Sequence, residues 1–229
     1  APSSPSRLFS SRHFTLTQNP SLPHRIALMT QRTDAHHFPS LSFRNAQLAL
    51  AILKAVGARA IGTVGSSSKV NVVLDRFPGY MEKEQVIVRS SSTSEYHEQL
   101  KSSLKFLGAD SFDIALDAVA GKYFQPTFDS LGPGGRHVVY GAADMTPHGD
   151  SVWSLLNPMV GLKLAYKYLT RPKVDPLELP AQNKSVMGFN LIWMFSKVGQ
   201  LTALLDELYG MNLQAPLVGN TFAFEDLPK

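Results

Sequence analysis

Residues 58–73, ARAIGTVGSSSKVNVV, combine three structural signals in one short run. The apolar, β-prone residues 58–64 predict a short strand, and Gly65-Ser66-Ser67-Ser68-Lys69 is a turn of small and polar residues. SKVNVVLDRF, which follows from residue 68, is interpreted as a helix. A strand, a tight turn and a helix in this order are the repeating unit of α/β folds.

The same alternation extends to both sides of this stretch. Before it, AQLALAILKAV (46–56) predicts a buried helix that Gly57 ends as a C-cap. After it, the predicted elements are strand 85–89, helix 94–109, strand 112–121, helix 122–131, strand 134–143, a helical stretch around 151–170, strand 185–191 and helix 195–210. Strands separated by helices of this length predict right-handed crossovers and a mostly parallel sheet with helices on both faces.

Two of the later helices have features of their own. Residues 151–169 carry Trp153, two tyrosines and two lysines among apolar residues, which favours a lid or a dimer-packing helix, with an interfacial membrane helix as the alternative. In the last helix, four leucines at helical spacing predict a stripe packed in the core. They are Leu201, Leu204, Leu205 and Leu208.

Composition and charge narrow the function classes. The 229 residues are 44% hydrophobic and include no cysteine, so a core is expected and a disulfide framework or thiolate metal site is excluded. The histidines are scattered without metal-ligand spacing, and no metal is expected. Residues 1–45 hold five arginines and one acidic residue, whereas residues 46–229 hold 17 basic and 17 acidic residues. A body without net positive charge argues against nucleic-acid binding.

Residues 1–45 are rich in Ser, Pro and Arg and contain no apolar run long enough for a secretion signal or a membrane span. We therefore expect a disordered or leader segment over 1–45 and a folded domain over 46–229. The expected location is cytoplasmic, and the alternative is an organelle reached through the N-terminal segment. A truncated or mis-spliced start is a further alternative.

Charged and hydroxyl side chains follow two neighbouring strands of the predicted sheet. Ser66, Ser67 and Lys69 come after the strand 58–64, and Arg89 ends the next strand. In a dinucleotide fold an acidic residue after the second strand binds the free ribose 2′-hydroxyl, and no acidic residue lies at 63–69. The cluster is therefore interpreted as a site for the 2′-phosphate of NADPH. The alternative is an ordinary turn, with Ser66 or Ser67 capping the next helix and both cations solvated.

Five stretches, taken in order, resemble the zinc-independent medium-chain dehydrogenase/reductase superfamily, and within it the NADPH:quinone oxidoreductases and the synaptic-vesicle-membrane-protein-like branch. They are AIGTVGSSSK, FDIALDAVAG, LGPGGRHVVYGAA, MGFNL and FAFEDLP. The resemblance implies a Rossmann-like fold that binds NADP(H) and transfers hydride to a small quinone or enone, with a homodimer as a further expectation. It implies phosphate contacts at Ser66, Ser67 and Lys69, an adenine-side contact at Arg89, and further cofactor contacts at Gly121, Tyr140, Gly141, Phe189 and Asn190.

The chain also departs from the family pattern. No glycine precedes Ala46, where the family has a Gly-rich turn for the pyrophosphate, and the upstream substrate domain has no counterpart. The domain is therefore expected to be incomplete relative to the family, and no catalytic residue is assigned. Tyr123, Tyr140 and Asp117 are candidates for handling protons, against the alternative of ordinary packing roles. The alternative function is a catalytically inactive nucleotide-binding or membrane-associated interaction protein derived from this fold.

Overall fold

The computed structural model describes residues 26–30, 41–145, 158–215 and 217. Its strands are β1 Ile26–Thr30, β2 Arg59–Val64, β3 Val86–Val88, β4 Phe112–Asp117, β5 Leu131–Val139 and β6 Ser185–Gly188. All five pairings between neighbouring strands are parallel, and the order across the sheet is β3-β2-β1-β4-β5-β6. The order reverses between β1 and β4, which is the doubly wound Rossmann arrangement. The predicted α/β class with a mostly parallel sheet is confirmed.

The helices connect these strands in the predicted alternation. They are α1 Leu41–Ala55, α2 Ser68–Arg76, α3 Thr93–Phe106, α4 Phe124–Asp129, α5 Pro158–Leu169, α6 Glu178–Gln182 and α7 Val198–Gly210. Short 3₁₀ turns lie at Lys83–Gln85, Gly121–Tyr123, Ala143–Met145 and Leu191–Lys197. The stretch SKVNVVLDRF is therefore helical over Ser68–Arg76, as interpreted, and the predicted helix 195–210 begins as a 3₁₀ turn.

The central strand lies inside the segment that the sequence assigned to a leader. β1 pairs with β2 on one side and β4 on the other, and its residues 26–29 are at most 2% exposed. The folded part thus begins before the expected boundary at Ala46, and α1 begins at Leu41. A strand buried on both faces is a short apolar run without alternation of apolar and polar residues. IALMT is such a run between polar, proline-containing neighbours, so its sequence does not identify it as a strand.

The core has two parts, one on each face of the sheet. On one face, side chains of α3 and α4 pack against the strands, among them Tyr96, Leu100, Leu104, Phe124 and Phe128. On the other face, α1 and α2 contribute a second cluster that includes Leu50, Val73 and Phe77. Burial on both faces leaves the two ends of the strands as the places where polar chemistry can lie.

The C-terminal helices pack differently from the prediction. No residue of α7 is buried, and Leu204 and Leu205 are 55% and 54% exposed, so the predicted core stripe is wrong. Helical spacing places these leucines on one face, but burial also requires a neighbour that covers the face, and among the described residues none covers Leu204 or Leu205. Large apolar side chains of α5 and of the 3₁₀ turn 191–197 are also exposed, including Leu162, Tyr166 and Trp193. Within the described ranges, no helix is both long and apolar enough to cross a membrane.

Candidate functional site

The segments singled out by the sequence follow the carboxyl ends of the parallel strands. Residues 65–69 follow β2, residue 89 follows β3, 118–121 follow β4, 140–143 follow β5, and 189–190 follow β6. Because all pairings are parallel, these ends lie along one edge of the sheet, where Rossmann-type folds bind their ligands. The topology therefore brings every expected site residue to the same edge.

The turn after β2 presents hydroxyl groups at the start of α2. The Ser66 and Ser68 hydroxyl oxygens lie 2.7 Å apart and share a hydrogen bond. Ser67 occupies the N-cap position, but its side chain accepts no capping hydrogen bond. The N–H of Lys69 bonds the carbonyl of Ser66. The Ser67 hydroxyl is thus exposed and not used to cap α2, in contrast to the capping alternative for this residue.

Arg89 is held in place by three contacts at the end of β3. Its Nη1 donates to the Thr63 hydroxyl at 3.0 Å and lies 3.3 Å from the Thr63 carbonyl oxygen. Its guanidinium lies 5.3 Å from the centroid of the Tyr123 ring, within cation–π range. The buried Nε of Arg89 has no hydrogen-bond partner in the described structure. Arg89 is therefore a fixed cation beside β2 and not a solvated strand terminus.

Sequence reasoning missed the second cation that contacts Tyr123. The Nζ of Lys122 lies 5.1 Å from the ring centroid and donates to the Ser91 carbonyl oxygen at 2.5 Å. The Tyr123 hydroxyl donates to the Ser90 carbonyl oxygen at 3.2 Å. Tyr123, which the sequence offered as a proton-handling candidate, thus has a packing role between two cations. We call Ser66, Ser67, Lys69, Arg89 and Lys122 the cationic corner.

A buried carboxylate organises the loop 118–121 after β4. Asp117 is fully buried, and its Oδ1 accepts the N–H groups of Val119 and Ala120 at 2.8 and 2.9 Å. Its Oδ2 lies 3.0 Å from Nε2 of His137, which is fully buried in β5. Asp117 thus closes β4 with both oxygens engaged, as the packing alternative expected. His137 gave no sequence signal, because a single histidine in a β-strand identifies no partner.

Gly121 and Gly141 lie where backbone or polar groups approach closely. A Cβ atom on Gly121, whose φ is +57°, would lie 2.2 Å from Oδ2 of Asp144. A Cβ on Gly141 would lie 2.7 Å from the Ala118 carbonyl oxygen. Lys167 of α5 binds the same Asp144, donating to its carbonyl oxygen at 2.5 Å and lying 3.6 Å from its Oδ1. The ends of β4 and β5 are therefore packed backbone against backbone.

Tyr140 begins the segment after β5. Its N–H donates to the Asp117 carbonyl oxygen at 2.9 Å. Burial, with a smaller contribution from the Asp117 charge, raises the pKa of the Tyr140 hydroxyl to about 12. The hydroxyl therefore stays protonated at neutral pH and can donate a hydrogen bond.

The segment after β6 combines an exposed ring with a structural amide. The N–H of Phe189 bonds the Val139 carbonyl at 3.0 Å, and the Phe189 side chain is exposed. Oδ1 of Asn190 accepts the N–H of Ile192 at 3.1 Å and so caps the 3₁₀ turn 191–197. Phe189 is accessible for contact with a flat ligand, whereas the Asn190 carbonyl already has a structural partner.

Residues 31–40, which connect β1 to α1 in the sequence, lie outside the described residues. In a Rossmann fold the connection from the first strand to the first helix meets the pyrophosphate, and the family motif places glycines there. The sequence 31–40 contains none. Among the residues that the structure describes, no group of three His, Asp or Glu side chains could hold a metal ion.

Comparison with known proteins bears on the resemblance. No protein-family model matches the chain. The human synaptic vesicle membrane protein VAT-1 homolog-like is 25% identical over 163 residues, which covers 62% of this chain and 37% of that protein. The nucleotide-binding subdomain of the enoylreductase domain of PpsC from Mycobacterium tuberculosis superposes with a TM-score of 0.52 at 18% identity, covering 84% of this chain and 87% of the subdomain. The resemblance to the zinc-independent medium-chain dehydrogenase/reductase superfamily is confirmed.

The matched proteins are covered to very different extents. The chain spans 37% of the VAT-1 homolog-like protein but nearly the whole of the solved nucleotide-binding subdomain. A mycobacterial protein solved in complex with NADPH also shares the fold, with a TM-score of 0.55 at 15% identity, over 85% of this chain and 48% of that one. The chain thus shares the fold of that nucleotide-binding subdomain.

Proposed function

We propose that this chain is the NADP(H)-binding portion of an oxidoreductase that transfers hydride from NADPH to a small quinone or enone. The observation that carries the proposal is the cationic corner, whose residues follow the ends of β2, β3 and β4 in a Rossmann sheet. In this position an acidic side chain would select the free ribose of NADH, and hydroxyl and cationic groups favour a phosphate there. A homodimer and a cytoplasmic location stay predictions.

The cationic corner fits a phosphorylated ribose in three ways. The hydroxyl of Ser67 is exposed at the N-terminus of α2, where helix dipoles favour anions. Arg89 is already fixed by Thr63 and Tyr123, so little side-chain entropy is lost when a ligand binds it. Glu95 is the first acidic residue after Arg89 in the sequence, and its carboxylate is engaged because it accepts from the Ser90 hydroxyl at 2.5 Å.

The remaining site residues suit other parts of the cofactor. Gly121, Tyr140 and Gly141 would line it through their backbone, and Phe189 and Asn190 would lie on the nicotinamide side. The Asp144 carboxylate beside Gly121 can accept from a ribose hydroxyl but would repel a phosphate. Bound NADPH supplies the hydride, and the protein supplies orientation and a water-poor surface.

A nucleotide-binding protein without catalysis is the second candidate. The observation that favours it is the sequence 31–40, which lacks the glycines through which a Rossmann turn approaches the pyrophosphate. Such a chain would keep the cationic corner and show no reductase activity. The two candidates therefore share the same nucleotide selectivity and differ in turnover.

Binding of mononucleotides tests the cationic corner without the pyrophosphate turn. We expect 2′-AMP to bind more tightly than 5′-AMP by about tenfold, since only the 2′-phosphate meets charge-assisted donors at the corner. Isothermal titration calorimetry at low ionic strength measures both affinities, and the difference should shrink as salt is added. Equal affinities for the two isomers at every salt concentration would contradict the proposal.

A further inference from the structure

A buried ionisable pair outside the cationic corner has no role in the function proposed so far. Asp117 at the end of β4 and His137 in β5 are both fully buried, with Nε2 and Oδ2 3.0 Å apart. The imidazole of His137 stacks on Phe124 of α4, with centroids 4.4 Å apart and planes 14° from parallel. The ring is thus fixed on one face by an aromatic side chain and at Nε2 by a carboxylate.

The hydrogen bonds of the pair determine which ring nitrogen carries the proton. A carboxylate only accepts, so Nε2 of His137 must be the donor to Asp117. Nδ1 of His137 is buried without a partner in the described structure. A proton on Nδ1 would leave a buried donor unsatisfied, so the contact selects the tautomer protonated on Nε2.

The other oxygen of Asp117 controls the backbone of the loop 118–121. Oδ1 holds the N–H groups of Val119 and Ala120 while Ala120 adopts φ of +52°, a conformation that residues with a Cβ rarely adopt. The carbonyls of Ala118 and Val119 in turn accept the N–H groups of Ala143 and Asp144. The carboxylate thus holds together both segments that end β4 and β5.

We propose that Asp117 and His137 are positioning residues: His137 orients the Asp117 carboxylate, and the carboxylate holds loop 118–121 in the strained conformation that the cofactor meets. The proposal rests on the proposed function only for the last step, contact with the cofactor. The hold on the loop exists in the protein without ligand. Strained backbone at the edge where a ligand binds is retained only when surrounding groups impose it, and here the imposing group is Asp117.

Amide hydrogen exchange in the ligand-free protein tests the hold on the loop. In His137→Leu, which loses the donor, we expect exchange at Val119 and Ala120 to rise by about tenfold relative to the parent, beyond any change in globally exchanging amides. In His137→Gln, whose Nε2 can reach the same carboxylate, exchange should stay close to that of the parent. The control is Ser103→Ala on α3, which removes a partly buried hydrogen bond from the Ser103 hydroxyl to the Glu84 carbonyl of the 3₁₀ turn 83–85 and should leave the loop unchanged.

Two further readouts keep the test decisive. In the parent protein, the ¹⁵N shifts of His137 should show one tautomer protonated on Nε2, a result that needs no variant to fold. NADPH affinity should fall in His137→Leu and recover in His137→Gln. Unchanged loop exchange in a folded His137→Leu, or a proton on Nδ1, would overturn the positioning role. If exchange at the loop rises in His137→Leu but the parent protein binds no NADPH, the hold on the loop is supported and only the proposed function is contradicted.

Discussion

Replacing Lys69 and Arg89 together by alanine is expected to weaken NADPH binding by about tenfold to a hundredfold and NADH binding much less. Both side chains follow neighbouring strand ends, and Arg89 is fixed there by Thr63 and Tyr123. The extra phosphate of NADPH is the only group that distinguishes it from NADH, so the loss should narrow the gap between the two cofactors. Fluorescence or calorimetric titration of both nucleotides measures it.

The matched control removes the same charge at the opposite edge of the sheet. Lys54 and Lys105 lie in the last turns of α1 and α3 and are exposed, so the double change to alanine alters net charge equally. If that variant lowers NADPH affinity as much, the effect is long-range electrostatics and not a phosphate site. Arg89 also packs on Tyr123, so the double variant could unfold. In that case Lys69→Ala alone is the variant to titrate, and it should show a smaller loss of NADPH affinity with little loss of NADH affinity.

The largest expected effect on stability is at Gly141. A methyl group there would lie 2.7 Å from the Ala118 carbonyl oxygen and 3.1 Å from its Cα, both backbone atoms that a side-chain rotation cannot move. Gly141→Ala should lower the free energy of unfolding by about 2–3 kcal/mol, the usual cost of overpacking a tight contact. Urea unfolding, followed by circular dichroism, measures it.

Gly161→Ala is the control for this substitution. Gly161 lies within α5 with nothing within 4 Å of an added Cβ, so alanine should stabilise the protein by up to about 1 kcal/mol through helix propensity. A Gly141→Ala variant as stable as the parent would show that the ends of β4 and β5 are not closely packed. It would also remove the structural reason for glycine at this position of the candidate site.

The sequence predicted well which residues follow the ends of β2 and β3, because strand ends are local features. The strand 58–64 is observed at Arg59–Val64, and the residues after it, with Arg89 after β3, lie at one edge because the sheet is parallel. The composition of the turn and the lack of an acidic residue at 63–69 can be recognised from the sequence alone, without knowledge of tertiary contacts. The residue types that favour a phosphate were therefore predictable before their geometry.

Features that depend on long-range packing were not predictable. β1 is five residues long and becomes recognisable only by pairing with β2 and β4. Asp117 and His137 lie 20 residues apart and meet only because their strands are neighbours. The leucine spacing in α7 predicts that these side chains share one face of the helix. The spacing does not determine whether another element covers that face, and no residue of α7 is buried.

Calorimetric titration of this chain with NADPH and with NADH under identical conditions tests most directly whether the carboxyl-end edge of its sheet binds a 2′-phosphate selectively. We predict that NADPH binds at least about tenfold more tightly than NADH, since the cationic corner offers charge-assisted donors to the extra phosphate and no acidic residue at 63–69 to bind the free ribose. Equal affinities, or tighter binding of NADH, would contradict the account.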